Sequence, residues 1–436
     1  MTISPFEERY STEMNGLFDE ERKLRAWLRV EVALAHAHAE MGNIPQAAAK
    51  QIEDAAKNVS LSRVKQMEAE IHHDLMAMVK ALSEQAGDAG KYVHWGATSY
   101  DIEDTATALM MKDGLNLLEK RLQHLASTLR MLAQKHRKTV CIGRTHGQQA
   151  LPTTYGMKFA VYYTEVGRHL ERLAQLRPRI AIGQMSGAVG TMASFKGKGK
   201  KLQELVMKKL GLTAAAVTNQ VIQRDRHAEA VAFLALVAGS MEKMAKEIRN
   251  LQRTEIGEVA EAFGKKQVGS SAMPHKRNPH KSERLCSLAR LVRAYANVAM
   301  ENIALEHERD LTNSANERVI IPESFICTDY MVKEMDSILE HLEFFPENIK
   351  RNLELSKGLI MAERLMLALV DKGMARQEAH ETMRKLAIEA KEKNTHLKEL
   401  AKEKLKQLSK KELEDIFDYT SYIGEAERIV EEAVKD

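Results

Sequence analysis

Between residues 118 and 299 the apolar residues recur at one spacing, and few folds accept it. Leu118, Leu122, Leu125, Leu129 and Leu132 advance by alternating steps of four and three. Phe159, Tyr163, Val166, Leu170 and Leu173 do the same, as do Leu234, Ala238, Met241, Ala245 and Ile248. Leu285, Leu288, Val292, Tyr295 and Ala299 make a fourth run. Steps of three and four place side chains on one face of an α-helix. No proline lies between Pro178 and Pro274 to interrupt them, and aromatic residues, a strand signal, make up only 5% of the chain. Four long amphipathic helices predict an all-α fold with a central bundle of long helices. Around it the chain reads as three helical domains. Residues 1–105 form shorter helices broken at 42–45 and 87–90, residues 106–350 carry the long helices, and residues 351–436 form short, charged helices.

Composition narrows the class further. With 436 residues and 44% of them apolar, the chain has material for a large core. It has no run of about 18 apolar residues, so no membrane span is expected, and its start lacks the apolar core of a secretory leader. Cys141, Cys286 and Cys327 are far apart, which predicts reduced thiols and a cytoplasmic protein. A net charge of +4 is mild for this length and gives no case for nucleic acid.

One stretch departs from the helical pattern. Residues 269–279 read Gly-Ser-Ser-Ala-Met-Pro-His-Lys-Arg-Asn-Pro. Pro274 and Pro279 each remove a backbone donor and clash with the preceding turn, so no helix runs through. The result is a loop, expected within 267–282, with two hydroxyls, two cations and an amide on a short tether. Such a segment suits closure over an anionic substrate, bringing a base with it.

Polar residues gather in six further segments. They are Arg9-Tyr10-Ser11; Ile71-His72-His73-Asp74, expected on a helix; residues 93–101 with His94, Thr98 and Ser99, a turn before a helix; residues 143–148 with Arg144 and His146; residues 218–227 with Gln220, Arg224 and His227; and residues 307–318 with Arg309, Ser314 and Arg318. Each has a plain alternative. Thr98 and Ser99 fit helix N-caps, or donors to a carboxylate. The arginines fit ion pairs, or the forked recognition of phosphate. Adjacent His72 and His73 would diverge by about 100° on a helix, and no paired-cysteine or His-Glu-x-x-His spacing occurs, so no metal is expected.

Taken together, the loop and these segments, in this order, resemble the adenylosuccinate lyase family of the fumarase/aspartase superfamily; the likeness runs from residue 9 to about 320, and His275 after Met-Pro narrows it. The resemblance implies a homotetramer with each active site shared among three subunits, no cofactor, and β-elimination of fumarate from a succinylated purine nucleotide. The substrates would be adenylosuccinate, giving AMP, and succinylaminoimidazole carboxamide ribotide. It implies Ser270 as general base, His146 as general acid, Glu283 as the carboxylate orienting that acid, and Lys276 and Asn278 as groups that stabilise the aci-carboxylate. His73, Thr98, Ser99, Gln220 and Met273 fall at substrate-binding positions and His94 at a further one. Arg9, Tyr10, Arg309, Ser314 and Arg318 fall around the nucleotide phosphate.

The chemistry fits these residue types independently. Removing a proton beside a carboxylate builds charge that fixed donors stabilise, and the leaving nitrogen needs a proton that histidine supplies near neutral pH. Three departures from the family pattern stand out: Thr12-Glu13-Met14, Glu306, and Ser314-Ala315-Asn316. The competing readings are another carboxylate-specific lyase or cycloisomerase of the superfamily, and a non-catalytic helical scaffold.

Overall fold

The computed structural model describes residues 4–264 and 269–435. Met1, Thr2 and Ile3 of the expected first domain lie outside the described residues, as do Gln267 and Val268 of the expected loop segment. The all-α expectation holds. Five long helices dominate: α1 (Ser99–Lys135), α2 (Tyr155–Ile180), α3 (Asp225–Leu251), α4 (His280–Glu301) and α5 (Ser314–Glu340). The four apolar seams lie on α1 to α4, and most of their residues are fully buried: Leu118, Leu122, Leu125 and Leu129 are each 0% exposed. Burying one leucine contributes roughly 1.5–3 kcal/mol. The fifth helix, α5, has no matching seam in the sequence reading.

Among the described residues the chain divides into two compact units, each built from three stretches, with the boundaries falling inside the five long helices. The first comprises residues up to 123, 169–241 and 287–333. Its other helices Glu20–Glu40, Gln46–Ala56, Leu61–Ile71, Asp74–Gln85 and Gly199–Leu210 enclose a core that includes Leu24, Trp27, Leu34, Leu75, Leu82 and Val206. Side-chain caps set two of the starts: Asp19 accepts from Arg22 N–H and Ser60 from Arg63 N–H.

The second unit comprises residues 124–168, 242–286 and 334 onward. Six helices between Pro346 and Ala433 supply most of its core, where Leu353, Met361, Leu365, Leu386 and Leu400 pack with Ile142. Ser409 and Glu412 form a reciprocal capping box. The unit also carries a feature the helical reading left out, an antiparallel hairpin of β1 (Val140–Thr145) and β2 (Gln148–Thr154). Its register shifts between Ile142 and Arg144. Gly143 lies at that shift, where a Cβ would come 2.9 Å from the Leu151 carbonyl oxygen.

Candidate active site

The second unit carries every residue expected to do chemistry. His146 and Gly147 form the tip of the β1–β2 hairpin, both left-handed at φ 53° and 74°. Positive φ at both central residues is the turn whose twist matches the flanking strands. A histidine there is unusual, and backbone strain of this kind concentrates at functional sites. The hairpin is anchored by Glu258, which is fully buried. Arg144 Nη2 donates to its Oε1 at 2.6 Å, Tyr155 Oη to its Oε2 at 2.6 Å, and Asn352 Nδ2 to its Oε1 at 2.9 Å. Burial first, then the Glu258 charge, push the Tyr155 phenol well above its usual range, so it stays a donor.

The loop at 269–279 is indeed non-helical. Gly269 is required at its start, because a Cβ would lie 2.1 Å from the Lys276 carbonyl oxygen. Asn278 Nδ2 donates to Gly269 O at 2.9 Å and so ties the two ends together. Ser270 Oγ accepts from Met273 N–H at 3.1 Å. The chain re-enters α4 under Glu261, a buried carboxylate that accepts from Lys281 N–H at 3.2 Å and Ser282 N–H at 2.6 Å. Residues 271–277 are exposed, as are His146 and Glu283. Among the described residues, the side chains of His146, Lys276 and Glu283 have no hydrogen-bond or ion-pair partner, and none joins Glu283 to His146 within the chain.

Apart from Met273 and Asn278, which sit on the loop of the second unit, the residues expected to bind substrate lie in the first unit, and most are engaged. His72 and His73 are not on a helix. Leu61–Ile71 ends in a left-handed His72, and His73 is the N-cap of Asp74–Gln85, accepting from Met76 N–H at 3.4 Å. That junction turns Asp74 toward Arg318, whose Nη2 donates to its Oδ2 at 2.7 Å. Burial opposes the Asp74 anion, but Arg318 prevails and holds its carboxyl below the usual range. His94, at φ 58°, donates its backbone N–H to Glu31 at 3.1 Å and pairs through Nδ1 with the same carboxylate at 2.6 Å. Burial works against the imidazolium, yet Glu31 raises the His94 pKa above its ordinary value.

Thr98 does not cap α1 through its hydroxyl. Its backbone N–H is taken at 3.0 Å by Asp101, which also accepts from the Ser186 and Gly187 N–H groups. Gln220 Oε1 accepts from Arg309 Nη1 at 2.9 Å, and Tyr100 Oη donates to Ser314 Oγ at 3.4 Å. Tyr10 packs edge-on against Tyr330 with ring centroids 5.3 Å apart. Arg9 is exposed, and neither it nor Ser99 has a side-chain partner among the described residues.

Ser314 and Arg318 line a cavity of about 240 Å³ together with Asp74, Tyr100, Glu103 and Trp27. Glu103 is its most perturbed group. Burial first, then the Asp74 and Asp104 charges, push its pKa up to about 8, against the opposing arginines. Below the cavity wall Arg224 forms a forked pair with Asp104 at 2.8 and 2.9 Å, both side chains almost fully buried. Sequence reasoning missed Glu258, Glu261, Asp101 and Glu31, since each acts on residues distant in the chain.

Among the described residues, one group has metal-type proximity: His124, Asp336 and Glu340, with ligand atoms within 4.8 Å of one another. His124 Nδ1 lies 2.6 Å from Asp336 Oδ2, and the group reads as a contact between an exposed histidine on α1 and a mostly buried carboxylate on α5. No helix among the described residues is long and apolar enough to cross a membrane.

Comparison with known proteins fits this geometry. A family model described as Lyase matches residues 8–294, and one described as Adenylosuccinate lyase C-terminus matches residues 358–433. The chain is 57% identical to the adenylosuccinate lyase of Pyrococcus horikoshii, over 100% of this chain and 98% of that one. It is 42% identical to that of Bacillus subtilis, over 97% and 98%. Among solved structures, the 3-carboxy-cis,cis-muconate lactonizing enzyme of Pseudomonas putida superposes with a TM-score of 0.92 at 33% identity, covering 98% of both chains. A fumarate lyase from Mesorhizobium sp. gives 0.90 at 35%, covering 97% of both. The two family models match most of the sequence, and the likeness reaches the tail that the loop motif alone left open; the chain is a lyase and belongs to the adenylosuccinate lyase family of the fumarase/aspartase superfamily.

Proposed function

We propose that this chain cleaves adenylosuccinate to AMP and fumarate, and the related succinylaminoimidazole carboxamide ribotide, by β-elimination in the cytoplasm. The observation that carries the reading is end-to-end identity with adenylosuccinate lyases, 42–57% over 97–100% of the chain. In this reading Ser270 Oγ removes the proton from the carbon beside a succinyl carboxylate. The electron pair forms the C=C bond of fumarate, the C–N bond breaks, and His146 gives a proton to the leaving nitrogen. Serine serves as a base only if its alkoxide is stabilised. Met273 N–H already points at the Oγ, and Lys276 adds its charge when the loop closes. Asn278 and Lys276 stabilise the aci-carboxylate, while Arg9, Tyr10, Arg309, Ser314 and Arg318 take the phosphate. Incubation with adenylosuccinate, argininosuccinate and 3-carboxymuconate tests this. AMP and fumarate from the first alone are expected; turnover of either other substrate in its place overturns it.

The same reading makes the protein a homotetramer in which His146 and Ser270 of one site come from different copies. Support comes from apolar residues left in solvent on all five long helices: Met131, Val161, Leu236, Leu291 and Val319 are each at least 41% exposed. Single exposed apolar residues are ordinary, but one on every long helix fits buried oligomeric faces. Mixing inactive His146→Asn and Ser270→Ala proteins restores activity if the groups come from separate copies. Verified subunit exchange without recovery overturns the shared site, and a fully active monomer in light scattering overturns the tetramer.

A further inference from the structure

Tyr100 lies in the polar segment 93–101 but has no role in the sequence reading, yet it touches two of the expected phosphate contacts. The residue is 6% exposed. The Arg309 guanidinium carbon lies 3.6 Å from the ring centroid, and Tyr100 Oη donates to Ser314 Oγ at 3.4 Å. At 3.6 Å the guanidinium is in van der Waals contact with the π face, where a cation is attracted by the ring quadrupole.

The edge of the same guanidinium is fixed as well. Arg309 Nη1 donates to Gln220 Oε1 at 2.9 Å. Gln220 is itself held, through Nε2 to Ala188 O at 2.9 Å and through its backbone N–H to Glu308 O at 3.3 Å. Arg309 Nε is buried and has no acceptor among the described residues. A side chain with this much rotamer freedom is thus pinned by one face and one edge, and it keeps a donor unfilled.

We propose that Tyr100 is a positioning residue for the anionic end of the substrate. It holds Arg309 in the plane where the unfilled N–H can meet an oxyanion, and it orients the Ser314 hydroxyl through its own Oη. The proposal rests on the reading of Arg309 and Ser314 as phosphate contacts. A carboxylate has the same hydrogen-bonding chemistry, so the test separates the two through the products.

Steady-state kinetics on adenylosuccinate, with AMP and fumarate as inhibitors, are measured for Tyr100→Phe, Tyr100→Leu, Tyr100→Met, Arg309→Ala and the Tyr100→Leu/Arg309→Ala double variant. Tyr100→Leu is expected to raise KM and the AMP inhibition constant roughly tenfold, the scale of a desolvated cation–π contact, with kcat falling less than threefold. Tyr100→Phe, which keeps the π face, recovers most of that loss. Tyr100→Met removes the face at another volume and carries the comparison if the leucine variant does not fold. In the double variant the tyrosine substitution adds no more to Arg309→Ala than the small loss seen for Tyr100→Phe, because its larger part acts through Arg309.

If Arg309→Ala raises KM while both Tyr100→Leu and Tyr100→Met stay within twofold of the parent, the role of Tyr100 is overturned and the phosphate reading stands. Losses that multiply in the double variant overturn it too. If Arg309→Ala leaves KM unchanged, the phosphate reading fails first and the inference falls with it. A rise in the fumarate constant with an unchanged AMP constant assigns the arginine to a carboxylate and rejects the proposal as stated.

Discussion

The two units hold their candidate residues in opposite ways. In the first, the groups read as binding substrate already have partners: Arg318 with Asp74, Arg309 with Tyr100 and Gln220, His94 with Glu31. In the second, His146, Lys276 and Glu283 have none among the described residues, and Ser270 and Asn278 bond only within their own loop. If these are the binding groups, recognition is pre-organised, which limits the ordering cost of binding. The groups read as chemical are left uncommitted among the described residues, on an exposed turn and an exposed loop, as the proposed shared site would require. The fixed parts behind them, Glu258 under the hairpin and Glu261 under α4, are as firmly held as anything in the first unit.

The largest expected effect tests the uncommitted side. Ser270→Ala and His146→Asn should each lower kcat on adenylosuccinate by about 10²–10⁴, with melting temperatures close to the parent's, since neither side chain bears a packing load. Asparagine is chosen because it tolerates the left-handed conformation that alanine resists. Near-normal kcat for Ser270→Ala would move the base elsewhere, to Ser271 first. Next comes the support beneath the turn. Glu258→Ala leaves Arg144 and Tyr155 without their acceptor and should destabilise the protein by about 3–5 kcal/mol, read from urea unfolding at fixed concentration. A variant as stable as the parent would show that the hairpin is held by its strands alone.

On the pre-paired side, Glu103 makes stability depend on pH. Its folded pKa, about 8, lies above the ordinary carboxyl value. The folded state therefore holds the proton more tightly, and the group's stability is fully present below about pH 4.5 and lost as pH rises through 8. Glu103→Gln should match the parent near pH 4.5 and exceed it by on the order of 2–4 kcal/mol at pH 9. A constant difference across that range would mean the carboxyl is not buried as described. The smallest effect is expected for Arg318→Ala, with KM rising roughly tenfold and kcat changing less, as for a contact that is uniform across the reaction. Unchanged kinetics would make the Asp74 pair purely structural.

How much of this was legible in the sequence depended on range. The seams of α1 to α4 were, because a 3.6-residue period reports a buried face directly. The helix α5 was not. Pro322 lies inside it, and its buried face includes Ser324, Thr328 and Asp329, each 0% exposed, so the apolar stripe is broken. The loop was legible from its two prolines. The candidate residues could be named from motifs, but their surroundings could not. Arg144 and Glu258 are 114 residues apart and Arg318 and Asp74 are 244 apart, and no local pattern encodes such a pair. The helix expected through His72 and His73 failed for a local reason, a left-handed residue that a composition of ordinary helix formers does not announce.

That each unit is woven from three separated stretches has a consequence for how the protein is made. The first unit's last stretch ends at residue 333, and the second unit's begins there. A ribosome emitting about 5–20 residues per second leaves the N-terminal helices without their final partners for on the order of tens of seconds. During that interval the apolar seams of α1 to α4 emerge into solvent one after another. Folding of the nascent chain is therefore a problem of delay, and the protein's demand for chaperone cover should be set by the time needed to deliver α5.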